Sequence, residues 1–377
     1  MIRNTKAITA SSYVAMLFLG LASSLIGAAA RNIGLTPSQI GVMIAVQNVG
    51  FGLSVWLSGA LADTRPKPRI LTVGSLVLAV SFLTFYLSPL FWLNLIILFL
   101  IGVGIGSYEG TTDAMLFDLH EDRAPFYINI NHLFVTIGSA LIAIYLIFLE
   151  MNWRVSVVQS GIAVLCLAVF FAFVTLPPSK WKQPSYRERM RVLGNSRLVV
   201  LLFLATILAV GSELGTVGVL STFLAELRGF SETASQMGLI VFLAGMAIGR
   251  LVIGTWAGVD RVPRTVTVLF GSAAVLLAVL FFVPLGVLTY AVVFLAGFAM
   301  SALLPLMLSY AGSRFREMSG TVMGTLKVAI PIGGALLPFV MSLIAGISSF
   351  QAALLVYPLA MLAGFLLLLS ATGRRRT

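Results

Sequence analysis

Residues 99–110 read FLIGVGIGSYEG, and residues 294–305, 195 positions later, read FLAGFAMSALLP. The same register lays His132-Leu-Phe-Val-Thr-Ile-Gly-Ser-Ala-Leu-Ile on Lys327-Val-Ala-Ile-Pro-Ile-Gly-Gly-Ala-Leu-Leu, which pairs Gly138 with Gly333. Ile33-Gly-Leu-Thr likewise returns near Arg228-Gly-Phe-Ser. A period of this length is a duplicated domain, and the composition says what kind.

Of 377 residues, 59% are hydrophobic and only 10% are charged. Soluble domains carry about 25% charged residues, so this is a polytopic membrane chain. Apolar segments long enough to cross a bilayer lie near residues 8–30, 38–62, 69–88, 91–118, 126–149, 153–176, 198–225, 234–258, 264–284, 287–311, 320–346 and 349–370. Backbone groups in lipid must be satisfied within the segment, and no alternating strand pattern is present, so the twelve spans are predicted as helices. The repeat then gives an all-α membrane protein of two six-helix halves, residues 1–176 and 198–377, joined by a basic linker at 177–197. The start of the chain, basic and then apolar up to Ala28-Ala-Ala30, imitates a signal peptide, but the repeat needs it as the retained first span.

The formal charge of +11 would suit nucleic acid in a soluble domain, yet here the cations sit in short loops, and no nucleic-acid partner is expected. One side receives Arg3, Lys6, Arg65, Lys67, Arg69, Arg123, Lys180, Lys182, Arg187, Arg189, Arg191, Arg197, Arg261, Arg264, Arg314, Arg316 and Arg374 to Arg376. The other receives only Arg31, Arg154 and Arg228. This asymmetry puts both termini in the cytoplasm of a cell (inner) membrane. The single cysteine, Cys166, rules out an intrachain disulfide and a cysteine-rich metal site, and no metal or cofactor is expected.

Between spans two and three stands Gly59-Ala-Leu-Ala-Asp63-Thr-Arg65-Pro-Lys67-Pro-Arg69. It resembles the signature loop of the major facilitator superfamily: Gly, three residues, Asp, a basic residue, any residue, Gly, then basic residues. Thr64 replaces the first basic residue and Pro66 the second Gly. A degenerate copy, Gly254-Thr-Trp-Ala-Gly-Val-Asp260-Arg261, occupies the matching loop of the second half. A parallel duplication of six spans also resembles that superfamily. Within it, Gly211-Ser-Glu213, Gly229-Phe-Ser, Ala244-Gly-Met-Ala-Ile-Gly249-Arg250, Pro305, Ser319-Gly320 and Gly333-Gly-Ala-Leu-Leu-Pro338 look like the fucose/galactose proton symporter group. The chain departs from that group in having Asp113 where Asn is usual, and in lacking a Gly-Pro end to span five after Gly138. The resemblance implies that spans one, four, seven and ten line a cavity, with Glu109 and Glu213 on opposing walls. It also makes Gly59, Asp63, Arg65 and Arg69 gating residues, with Arg250 and Asp260 doing likewise in the second half.

Charge inside the membrane is the remaining signal. An ionised group at a bilayer centre costs roughly 2.5 to 3.5 kcal/mol on the most lenient scale, so such residues face a cavity or a partner. Glu109 and Asp113 lie about 15 and 10 Å above the inner end of span four, marked by His120, and share one helix face. Two ionised carboxylates there would repel, so one is protonated or paired, as proton coupling requires. Asp113 as a plain salt-bridge partner is the alternative. Lys327 enters span eleven to about the depth of Asp113. It neutralises a span-four carboxylate, binds an anionic substrate group, or snorkels to the inner surface. Its repeat equivalent is His132, preceded by Asn129 and Asn131. Glu213, among Gly211, Gly215 and Gly218, is a candidate for recognising a substrate hydroxyl or cation, or for bridging a neighbouring helix. Gln47 and Tyr108, with His132 and Asn131, are candidate substrate-binding residues; Tyr13, Gln47, Asn48 and Tyr108 are possible polar contacts, each better suited to packing or helix-to-helix hydrogen bonds.

No Walker loop, HExxH or GxSxG occurs, which argues against both an ATP-driven pump and an embedded enzyme. The expectation is a secondary transporter, monomeric, moving a small-molecule substrate with protons across the lipid bilayer by alternating access. A sugar-like polar solute is the leading cargo. An exporter of amphipathic compounds and an organic-anion carrier using Lys327 are the alternatives.

Overall fold

Apolar runs bounded by loop cations become helices over nearly the whole chain in a computed structural model, which describes residues 2–35, 37–149, 152–177 and 184–372. The helices are α1 (Thr5–Ile33), α2 (Pro37–Ala62), α3 (Lys67–Thr84), α4 (Phe91–Leu119), α5 (Ala124–Phe148), α6 (Trp153–Phe173), α7 (Tyr186–Asn195), α8 (Arg197–Arg228), α9 (Glu232–Trp256), α10 (Val262–Phe282), α11 (Thr289–Ser301), α12 (Leu303–Arg314), α13 (Ser319–Lys327), α14 (Ala329–Ile347), α15 (Phe350–Ala353) and α16 (Val356–Thr372). Among the described residues, twelve stretches are long and apolar enough to span a bilayer, from Thr5–Ala29 to Phe350–Leu369, each overlapping an expected span. Lys180, Lys182 and Arg374 to Arg376, counted among the inner cations, lie outside the described residues.

Three expected spans are broken, and proline explains each break. A proline ring displaces the carbonyl four residues earlier and removes a hydrogen bond. Pro305 points this effect at Ser301, where α11 ends; Pro331 points it at Lys327, where α13 ends; Pro358 points it at Leu354, just after α15. Pro338, by contrast, sits inside an unbroken α14.

The chain forms two compact units. One comprises Met1–Glu121, Ile130–Arg189 and Arg314–Val328; the other comprises Asp122–Asn129, Met190–Ser313 and Ala329–Thr377. In the first, α4 packs on α2, α3 and α1, and α13 packs on α2 and α4. In the second, α9 packs on α11, α8 on α14, and α10 on α16.

The 195-residue repeat is visible as backbone contact. A Cβ at Gly102 would overlap the carbonyl of Gln47, and one at Gly297 would overlap the carbonyl of Phe242. Gly50 meets the carbonyl of Phe99 in the same way, and Gly245 that of Phe294. All four pairs are in the repeat register, so the same glycine seams close α2 on α4 and α9 on α11.

Candidate functional site

Helix α4 is buried along most of its length, from Asn94 to Phe117, and this burial is what gives Glu109 and Asp113 their meaning. Glu109 is 3% exposed and Asp113 1%. Both sit in the first unit, and so does Lys327, the last residue of α13, which is fully buried. Its ammonium lies 2.6 Å from Asp113 Oδ2 and 2.9 Å from Glu109 Oε1, and it also donates to the Glu109 backbone carbonyl. Three oxygens thus face the ammonium, although Glu109 Oε1 makes no aligned hydrogen bond with it. Of the three roles open to Lys327, the geometry is that of pairing with span four.

Helix α5 completes the cluster. His132 Nε2 stands 2.9 Å from Asp113 Oδ2 and 3.9 Å from Glu109 Oε1. Asn131 Nδ2 donates to Asp113 Oδ1 at 2.7 Å and to Thr112 Oγ1 at 3.0 Å, while its own oxygen accepts from Ser12 Oγ at 3.0 Å. The two carboxylates are therefore unequally held. Asp113 has Lys327, His132 and Asn131 around both oxygens, whereas Glu109 Oε1 faces the ammonium with no aligned hydrogen bond. Glu109, Asp113 and His132 also present ligand atoms within 4.8 Å of one another, a donor set suited to a divalent ion. The Lys327 ammonium stands against two of the three, Glu109 and Asp113.

The signature loop makes a second constellation in the same unit. Asp63, 5% exposed, accepts at Oδ1 from Gly320 N (2.8 Å) and at Oδ2 from Thr321 N (2.7 Å), so it caps the N-terminus of α13, where the helix dipole favours an anion. The Thr321 hydroxyl also bonds this carboxylate. Glycine makes the approach possible: a Cβ at Gly59 would come within 2.7 Å of Gly324 Cα and 2.8 Å of Gly320 O. The cation on Asp63 is Arg189 of α7, with Nη1 3.0 Å from Oδ2, 2.9 Å from Ala60 O and 2.5 Å from Thr321 Oγ1. Arg65 and Arg69 are exposed, and Lys67 pairs with Asp118 at 2.5 Å. Sequence reasoning missed Arg189 because a single arginine in a basic linker looks the same whether solvated or buried. Its place on α7 opposite Arg187 and Arg191, which are exposed, was the available signal.

The other candidates separate from these clusters. In the second unit, Arg250 Nη2 lies 3.4 Å from Glu213 Oε1 and its Nε donates to Ser301 O at 3.2 Å, tying α9 to α8 and α11. Asp260 is exposed. Gly211 and Gly215 serve close approach, to Gly333 and to the Tyr357 ring, within a continuous α8. Tyr108 Oη is 2.7 Å from Ser75 Oγ, and Gln47 Nε2 donates to Ala22 O at 3.1 Å, so both spend their polar groups on neighbouring helices. Asn129 donates to Pro125 O in its own helix.

Comparison with known proteins agrees with the fold. The chain matches the Major Facilitator Superfamily over residues 8–329 and, in an overlapping match, 202–377. It is 23% identical over 365 residues to an uncharacterized MFS-type transporter, YfkL, of Bacillus subtilis, covering 91% of this chain and 90% of that one. Among solved structures it is similar to the fucose:proton symporter of E. coli, with a TM-score of 0.81, 18% identity and full coverage of both chains. It is also similar to a human organic anion transporter (TM-score 0.78, 17% identity, 97% of this chain and 100% of that one). At such identities the structural likeness speaks for the fold alone.

Proposed function

The chain belongs to the major facilitator superfamily, a family of transporters rather than enzymes, and on that premise we propose that it is a proton-coupled secondary transporter of a small, polar, sugar-like solute in the cell membrane, with both termini cytoplasmic. The observation that carries this reading is the Lys327 ammonium shared between Asp113 and Glu109 in a buried cluster.

Asp113 is the fixed counter-ion: its oxygens already serve Lys327, His132 and Asn131. Glu109 is the proton carrier, because its carboxylate has acceptor capacity to spare. Protonation of Glu109 removes one of the two charges holding Lys327 and leaves a neutral Lys327–Asp113 pair. A neutral cluster can be rearranged inside a membrane at much lower cost than a charged one. Glu213, held by Arg250, is the polar group offered to the solute in the second half. An organic-anion carrier would have to draw Lys327 away from both carboxylates before it had a positive charge to offer, which favours the polar-solute reading.

The test begins with thermal-shift screening of the purified protein against sugars, polyols, carboxylates and hydrophobic cations at two pH values. The solute that stabilises it is then supplied to proteoliposomes loaded with a pH-sensitive dye. Solute-induced proton entry is expected, and Glu109→Gln is expected to abolish proton-driven accumulation while leaving counterflow exchange. Stabilisation by hydrophobic cations alone, or accumulation by Glu109→Gln at the parental level, would sink the reading.

A further inference from the structure

Helix α7 (YRERMRVLGN) is polar, and its Arg187, Glu188 and Arg191 are exposed. Arg189, between them, is 2% exposed. Removing a guanidinium from water carries a penalty of several kcal/mol unless a partner and hydrogen bonds compensate it, and Arg189 finds both at Nη1, in Asp63, Ala60 O and Thr321, while its buried Nε has no hydrogen-bond partner among the described residues. The linker helix is therefore docked through one buried charge, and that charge sits on the carboxylate that caps α13.

Helix α13 is a separate rod. It runs for nine residues from Ser319 and stops at Lys327, where Pro331 interrupts hydrogen bonding, with a turn at Val328 before α14. One end carries the Asp63 contacts at Gly320 and Thr321; the other, about 10 Å along the axis, carries the Lys327 ion pairs. In between, Gly324 lies against Gly59 with no room for a side chain. A short helix gripped at both ends does not move at one end alone.

We infer that Arg189 is a positioning residue that latches α13 through Asp63, and that α13 transmits the state of the Lys327 cluster to the linker helix. The event that moves Lys327 is the protonation step proposed above; the latch itself stands without it. Neither Arg65 nor Arg69 can do this from its exposed position.

The rod can be read at its first residue. In a Cys166→Ser background, Ser319→Cys places a thiol where only 2% of the residue is exposed, and its labelling rate with N-ethylmaleimide reports how often that end opens. Arg189→Gln should speed labelling about tenfold, the scale expected for losing a hydrogen bond to a charged group. Arg189→Lys should restore much of the protection, and Arg187→Gln should leave the rate unchanged. Lys327→Met should also speed labelling, and combining it with Arg189→Gln should give less than the product of the two single effects, since both restrain one body. Should Arg189→Gln lose its monodisperse size-exclusion profile, Asp63→Asn is read in the same way. Labelling at the parental rate in these variants overturns the latch, and multiplying effects overturn the transmission. Failure of the proton-flux assay with the labelling pattern intact would remove the coupling reading and leave the latch.

Discussion

Residues 99–115 and 294–310 are two copies of one repeat put to two uses, the first within the continuous α4 and the second broken after Ser301. Each presents a glycine seam to a neighbouring helix, Gly102 to Gln47 in one and Gly297 to Phe242 in the other. At the positions where the first copy has Glu109 and Asp113, the second has Leu304 and Leu308. The duplication has kept the packing and confined the two carboxylates of the dense ion cluster to the first copy, while the second half of the chain supplies their cation, Lys327, and retains the looser Glu213–Arg250 pair at 3.4 Å, with the Glu213 side chain 18% exposed. Close packing tolerates no Cβ in either half, whereas a buried charge is needed only where it does work.

The sharpest way to break this comparison is to remove the cation from the denser cluster. Lys327→Met leaves two buried carboxylates without their ammonium and should cost about 3–5 kcal/mol. It is expected to lower the thermal midpoint steeply and to abolish transport, with partial recovery when Asp113→Asn is added. No recovery would argue that Lys327 acts alone. Next in size, Gly102→Ala and Gly297→Ala should each cost about 1–3 kcal/mol by overpacking, and by similar amounts. Clearly unequal losses in thermal unfolding would mean that the seams are not equivalent. Arg250→Met should cost about 1.5 kcal/mol, less than the Lys327 substitution, because the pair it breaks is longer and partly wetted. A loss as large as that of Lys327→Met would erase the distinction between the two halves. Smallest is Tyr108→Phe, which removes one hydrogen bond to Ser75 and should cost about 1 kcal/mol with transport unaltered. A transport defect there would return Tyr108 to the substrate path.

Much of the site was legible because the membrane makes polarity conspicuous. Glu109, Asp113 and Lys327 stand out in apolar runs, and helical rise alone put Lys327 level with Asp113. His132 and Asn131 came from the repeat register. Arg189 did not stand out, since one buried arginine in a basic linker is indistinguishable by composition from its solvated neighbours. Nor did the spacing show that Lys67 would turn to Asp118 and leave Arg65 and Arg69 exposed, because three cations in one loop compete for carboxylates that only folding brings near. The breaks after Ser301 and Lys327 were written in Pro305 and Pro331, four residues downstream of each.

The sequence by itself determined twelve apolar spans, their repeat and which ionisable residues would fall within them. These follow from local rules: backbone hydrogen bonds must close within a helix in lipid, and each ionisable residue declares itself against an apolar background. Which charges meet was decided only by the tertiary structure. Lys327 is separated from Glu109 by 218 residues and Arg189 from Asp63 by 126. Pairing at such separations depends on how closely the glycine seams let helices approach, because an ion pair forms only within about 4 Å.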